Sequence, residues 1–213
     1  MQLDYNTYKN SAYPNKAIIF IHGWGGNKDS FLPFAKKLKF KSKIQWFLPQ
    51  APYELDNGGV NKFKTDALRK SWTYKKSNNQ WEIKEPINML NDFFLNVVFK
   101  DFKPIDVYVF GFSQGAAVCY EFIMGMPKRL GGIFPIAGFL FENSSNNRVS
   151  RHNLKTPIII GHGINDDVVS IEKSEEAYLK LVEENANVIF EKYNGGHKIS
   201  LNYLNKIIKV IDE

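Results

Sequence analysis

Val107-Tyr-Val-Phe-Gly-Phe-Ser-Gln-Gly-Ala-Ala117 runs from strand formers through Gly-x-Ser-x-Gly into small helix formers. The pattern predicts a strand, a sharp turn and a helix, with Ser113 at the apex. A serine on so tight a bend takes a strained backbone conformation. Side chains two residues to either side would strike the neighbouring strand and helix, so both positions are glycine. The bend pushes Ser113 outward as a candidate nucleophile. Gly-x-Ser-x-Gly alone is a weak signal, because both residue types are common in loops; the apolar strand before it and the helical pattern after it supply the context the chemistry requires.

Around this stretch strands and helices alternate. Lys16–Ile21 is a continuous apolar run, as in a buried parallel strand, and opens into His22-Gly-Trp-Gly-Gly-Asn27; Asp29-Ser30 then begin an amphipathic helix through about Phe40. Ile44–Leu48 reads as the next strand. From Tyr53 to Lys84 periodicity fails, which predicts a long excursion over the sheet, the wall of a substrate cleft. Trp72 within it either lines that cleft or anchors the loop to the core. Glu85-Pro86 starts a helix whose stripe of Ile87, Leu90, Phe93, Phe94 and Val97 is core. The helix from Ala116 to Met124 is apolar on nearly every face, hence central and buried. Gly131–Gly138 and Thr156–Gly161 are further strands, and the polar stretch between Glu142 and Asn153 reads as solvated linker. Ser170–Glu184 is helical, Asn187–Tyr193 a strand, and Ile199–Ile211 the last helix. This order implies an α/β fold with a mostly parallel sheet covered on both faces, and 213 residues suit one domain, 1–213.

No segment approaches the roughly 20 continuous apolar residues of a membrane span, and no basic patch followed by an apolar run opens the chain. A soluble protein with no stable membrane insertion is expected. The single cysteine, Cys119, fits a reducing compartment, which makes the cytoplasm the default, and reads as a small buried hydrophobe. A net charge of +6 raises the question of an acidic partner. The densest lysines (Lys36, Lys37, Lys39, Lys41, Lys43) lack the interleaved aromatics of a base-stacking platform, so a solvated surface is expected and no nucleic-acid partner.

A serine hydroxyl attacks an acyl carbon only if a base takes its proton. An imidazole does so near neutral pH when a carboxylate fixes its tautomer. The chain offers Ser113 after one strand, Asp166 and Asp167 after a later one, and His197 after the last, in the order Ser, Asp, His of α/β-hydrolases. His152 lies in an irregular loop; His22 and His162 precede glycines at strand ends, where bonding to loop backbone is the ordinary role. His197, after two glycines and before the last helix, is the best base. Asp166 and Asp167 both remain candidates for the acid, Asp167 also as a helix cap. The glycine-rich turn after Ile21 lacks the spacing of a phosphate-binding loop. It suits an oxyanion hole made by the amides of Trp24 and Gln114.

His22-Gly-Trp-Gly-Gly, Pro49-Gln-Ala-Pro, Asn57-Gly-Gly, Ser71-Trp72, Gly111-Phe-Ser-Gln-Gly, His162-Gly-Ile-Asn-Asp166 and Gly196-His197 resemble, in order, the motifs of the phospholipase/carboxylesterase family, which includes the acyl-protein thioesterases. The likeness covers nearly the whole chain. It implies an α/β-hydrolase fold, Asp166 as the triad acid, no metal and no cofactor. It also implies a small-molecule or lipid ester or thioester as substrate, its acyl chain lying along the 53–84 loop. Carboxylesterase, lysophospholipase and protein thioesterase share this machinery, and a ligand-binding module on the same fold is the non-enzymatic alternative. Two residues depart from the pattern. Trp24 stands where the family usually has leucine, and Tyr74 follows Ser71-Trp72-Thr73 where it usually has aspartate. Trp24 is expected to contact substrate and, as a hypothesis, to narrow the acyl site in favour of short groups.

Overall fold

The computed structural model describes residues 3–56, 59–62, 69–76, 80–141 and 148–213. In chain order its elements are β1 (Tyr5–Lys9), β2 (Lys16–Ile21), α1 (Leu32–Lys37), β3 (Ile44–Pro49), β4 (Tyr53–Asp56), β5 (Gly59–Lys62), β6 (Lys70–Ser71), β7 (Tyr74–Lys75), β8 (Trp81–Glu82), α2 (Lys84–Phe93) and α3 (Phe99–Asp101). There follow β9 (Val107–Phe112), α4 (Gln114–Val118), β10 (Gly132–Ile136), β11 (Ile158–Gly163), α5 (Ile171–Glu183), β12 (Val188–Tyr193) and α6 (Leu201–Asp212). Seven strands form one sheet in the order β1-β3-β2-β9-β10-β11-β12. Every neighbouring pair is parallel except β1 on β3, so the carboxyl ends of β2, β9, β11 and β12 share one edge.

Strand alternation divides the core in two. Ala17, Ile19 and Ile21 of β2 point to a face covered by α2 and α5, where Leu90, Phe93 and Phe94 are buried. Ile18 and Phe20 point to the other, covered by α1 and α6 with Ala35, Leu204, Ile207 and Ile211. Burying each such side chain contributes about 1.5–3 kcal/mol, which is why both faces must be covered. From β2 the sheet grows toward β3 and then, across the chain, toward β9. The two strands where its direction reverses are neighbours, with Ile21 opposite Gly111. Sites of open α/β sheets lie at such a switch point, at the strands' carboxyl ends.

Several elements differ from their sequence reading. β1 was not expected: it is short, largely polar and only half covered, as an antiparallel edge strand tends to be. The first helix spans only Leu32–Lys37. Pro33 belongs in a first turn, and Asn27–Ser30 form a side-chain-bonded turn ahead of it, with the Asp29 amide donating to Asn27 Oδ1 (2.8 Å). After α2 the helix takes a π turn over Phe94–Val98, which shifts the stripe by one residue and buries Val98 while Val97 is half-covered. The 53–84 excursion contains short strands: β4 pairs with β5 and β6, and β7 with β8. Its Asn57-Gly58 lies outside the described residues, as does 142–147 of the polar stretch. Asn153, at the end of that stretch, is fully buried and is no solvated linker residue. It accepts from the Leu130 amide (3.0 Å) and donates to the Met126 carbonyl (3.0 Å). Cys119 is buried as expected, and burial pushes its thiol pKa up. All five lysines between 36 and 43 are exposed.

Candidate active site

β9 ends at Phe112, and Ser113 takes φ 53° and ψ −114°, a conformation that costs a non-glycine residue on the order of 1–3 kcal/mol. The surroundings hold it there. Its amide donates to the Ile136 carbonyl of β10 (2.8 Å), and its carbonyl accepts from the Ala116 amide (3.0 Å). The flanking glycines are required by close approach. A Cβ on Gly115 would lie 2.0 Å from the Ile21 carbonyl oxygen, and one on Gly111 2.4 Å from the Gly115 oxygen. The elbow is thus wedged against the end of β2.

Gln114, the first residue of α4, contributes more than its backbone. Its buried side-chain oxygen accepts from the Trp72 amide (2.9 Å), and its amide nitrogen donates to Ser71 Oγ (3.0 Å). Trp72 is fully buried, and its indole N–H donates to the His22 carbonyl (3.0 Å). Of its two expected roles, lining the cleft therefore gives way to anchoring. Ser71-Trp72 is a strap that ties the excursion to both the elbow and the end of β2. Sequence reasoning had no account of the Gln114 side chain; the only signal was the recurrence of Gln114 and Ser71-Trp72 in the same resemblance.

The turn after β2 is held from both sides. The Gly26 amide donates to the Gly23 carbonyl (3.0 Å), Gly25 to Lys70 (2.9 Å), and Lys70 returns a bond to Gly26 (3.0 Å). The Trp24 amide takes part in none of these bonds. Gly25 has φ +74°, which only glycine adopts cheaply. His22 is buried, with Nδ1 2.8 Å from the Gly23 carbonyl and Nε2 3.2 Å from the Ala51 amide. The first contact needs a proton on Nδ1 and the second a lone pair on Nε2, so the neutral tautomer is specified. Burial lowers its pKa to about 4, against the opposing Gly23 bond.

β11 runs two residues past its expected end, through His162 and Gly163. The turns after β11 and β12 are bonded to each other: the Ile164 amide donates to the Tyr193 carbonyl (2.9 Å) and Asn165 to Gly195 (3.0 Å). Asp166 Oδ2 receives His197 Nδ1 at 2.8 Å. Asp166 Oδ1 accepts the Val168 and Val169 amides, both at 2.9 Å. Burial pushes the Asp166 carboxyl up, but the Val169 amide, His197 and the Val168 amide outweigh it and hold the pKa below the usual carboxylate value. Asp167 is exposed. Of the two acids, Asp166 is the one brought to His197.

His162 is also here, which its sequence reading as a loop-backbone partner covers only in part. Its Nε2 lies 2.9 Å from the Val169 carbonyl and 3.2 Å from Asp166 Oδ2, with both side chains inaccessible. Its Nδ1 meets Ser174 Oγ at 2.7 Å. His152 is exposed and distant in role.

His197, Trp24, Gly23 and Phe112 border a cavity of about 570 Å³ that opens between α1 and the start of α6. The Phe112 ring lies 4.9 Å from the His197 ring, and Trp24 is 49% exposed. A Cβ on Gly23 would touch Ser113 Cβ at 3.2 Å, so a residue that lines the cavity packs directly against Ser113. Acyl chains were expected along 53–84; no described residue of that stretch lines this cavity.

The phospholipase/carboxylesterase family model matches residues 6–213. The chain is similar to Carboxylesterase SOBER1 of Arabidopsis thaliana, 27% identical over 202 residues, covering 92% of this chain and 87% of that one. It is also similar to Acyl-protein thioesterase 1 of Kluyveromyces lactis, 26% identical over 214 residues, covering 95% and 93%. The crystal structure of Arabidopsis thaliana SOBER1 superposes with a TM-score of 0.75 at 27% identity, over 92% of this chain and 97% of that one.

Proposed function

The chain belongs to the phospholipase/carboxylesterase family and is a carboxylic ester hydrolase, and from that premise we propose that it works through an acyl-enzyme on Ser113, with His197 as base and Asp166 as the residue that orients it. Ser113 Oγ attacks the ester or thioester carbonyl as His197 Nε2 takes its proton. The amides of Trp24 and Gln114 receive the oxyanion, and the His197 imidazolium returns the proton to the departing alcohol or thiol. Water, deprotonated by the same imidazole, then releases the acid. Asp166 keeps the proton on Nδ1, so that Nε2 is free to act as base.

The observation that carries this reading is the 2.8 Å contact of His197 Nδ1 with Asp166 Oδ2, on turns that follow β11 and β12 at the same carboxyl edge of the sheet as the strained serine elbow after β9. Two further features support the oxyanion assignment: the Trp24 amide lies outside the bonds that hold its turn, and the Gln114 amide opens a helix, where no intrahelical acceptor exists. One sheet carries every participant, which supports residues 1–213 as one hydrolase domain. Among the described residues no helix is long and apolar enough to cross a membrane. The single buried cysteine supports a cytoplasmic setting. Among the activities of its relatives we favour carboxylesterase, with small or lipid esters as substrates. The half-exposed Trp24 indole, beside the oxyanion turn, is read as a substrate contact that favours short acyl groups.

A fluorophosphonate probe tests the assignment. It is expected to label Ser113 in the parent and to leave Ser113→Ala unlabelled, with ester turnover in that variant reduced about 10⁶-fold. An unlabelled parent would overturn the assignment of Ser113 as the nucleophile. Acetyl and decanoyl p-nitrophenyl esters turned over at equal rates would remove the short-acyl preference.

A further inference from the structure

The cavity beside His197 has walls that no step above uses. The carbon bonded to Ser113 Oγ in the tetrahedral intermediate carries three other groups. Its oxyanion faces the Trp24 and Gln114 amides. Its departing oxygen or sulfur must lie within hydrogen-bond reach of His197, which protonates it. Its acyl group points away from both. The cavity begins at Gly23, Trp24 and His197, so it opens from the oxyanion and the departing atom. We propose that it is the leaving-group pocket, and that the alcohol or thiol it takes carries a contiguous apolar chain or ring. This rests on Ser113, His197 and Trp24 acting as assigned above.

The chemistry of the walls defines the ligand. Phe20 stacks on Phe31 at 3.9 Å, and Phe31 on Phe34 at 5.4 Å, so one wall is a continuous aromatic face. Ile199, Leu201 and Leu204 form the other. The His22 ring at the base has both nitrogens engaged and offers nothing to a polar ligand. At the mouth Phe34 is 53% exposed and Leu201 69%. Single exposed apolar residues are ordinary; two on facing walls of a cavity whose side chains are apolar apart from Ser30, Lys198 and the two histidines are what an apolar ligand site presents. A volume of about 570 Å³ lies within the usual range for small-molecule sites and far exceeds what a methyl or ethyl alcohol fills.

Two ester series separate the leaving-group side from the acyl side. In acetates of ethanol, butanol, hexanol and octanol, kcat/KM is expected to rise about two- to threefold per methylene. In Leu201→Asp and Phe34→Asp, both at exposed positions, the rise is expected to flatten, while the dependence on acyl length among ethyl esters keeps the parent's slope. A flat acetate series in the parent overturns the proposal, and so do variants that alter the acyl slope instead. A binding measurement keeps the pocket distinct from the catalytic assignment. Calorimetric titration of 1-octanol into Ser113→Ala is expected to show binding that Leu201→Asp weakens at least tenfold. No binding there, with Ser113 still labelled by fluorophosphonate in the parent, sinks the pocket and leaves the triad standing. Octanol binding with an unlabelled Ser113 sinks the triad.

Discussion

His162 Nε2 lies 3.2 Å from Asp166 Oδ2, the same carboxylate oxygen that receives His197 Nδ1 at 2.8 Å. With the Val169 carbonyl also facing Nε2, that nitrogen carries a proton, and Nδ1 lies 2.7 Å from the Ser174 hydroxyl, which also reaches the Gly138 carbonyl at 3.2 Å. This geometry predicts that His162 is a positioning residue, holding the side of Asp166 that faces His197. His162→Leu, which keeps bulk and loses the donor, is expected to lower kcat about tenfold with little change in KM. His162→Gln, whose amide can donate again, should recover most of the loss. A purely structural role would lower the melting temperature of both variants and leave kcat per folded molecule unaltered.

His22 makes stability depend on pH in a separate window. Its pKa is depressed to about 4 in the folded protein, against about 6.5 in the unfolded chain. Between those values the unfolded state binds the extra proton, so stability falls as pH drops from about 6.5 and stops falling on this account near 4. The total is about 3 kcal/mol. Urea melts at pH 7, 5.5 and 4.5 measure the slope. His22→Gln, which does not titrate, is expected to be less stable at pH 7 and to lose the slope over this window.

The sheet and the pairing of Asp166 with His197 were legible in the sequence, while the strap and the second histidine were not, and the reason is physical. Apolar runs such as Lys16–Ile21 report burial on both faces, and Ser113, Asp166 and His197 sit at strand ends fixed by chain order. Gln114 and Asn153 act through side-chain bonds to partners 23 to 43 residues away, and His162 reaches Ser174 on the following helix as well as Asp166, and no local pattern encodes those. Trp72 could be read either way because a large aromatic with one polar group suits a cleft wall and a buried anchor equally. Only its environment separates the two. The short first helix and the π turn after α2 escape periodicity because Pro33 and one inserted residue act on boundaries, where pattern is weakest.

The anchoring role of Trp72 makes a prediction that a cleft wall would not. Trp72→Phe keeps the ring and removes the indole N–H that meets the His22 carbonyl, leaving that oxygen unpaired in the core. A loss of about 1–3 kcal/mol in stability is expected by urea denaturation. KM for p-nitrophenyl acetate should stay at the parent value, since the side chain has no accessible surface. A several-fold rise in KM with stability unchanged would restore Trp72 to the substrate site.

Asp166→Asn separates catalysis from acid stability. The amide oxygen can still accept from Val168 and Val169, but the amide nitrogen then faces His197 and His162, two groups that need an acceptor. His197 is driven toward the tautomer with its proton on Nε2, which cannot act as base, and kcat is expected to fall about 10⁴-fold. The stability effect has its own sign. The Asp166 pKa is held below the usual carboxylate value, so its ionised form stabilises the fold above about pH 4, the ordinary value, and that contribution is lost as pH falls through the lowered one. The variant should thus be less stable than the parent at pH 7, with the gap narrowing below pH 4. Thermal melts across pH 7 to 2.5 measure it; a gap that widens toward acid would mean that the carboxylate is not stabilised in the folded state.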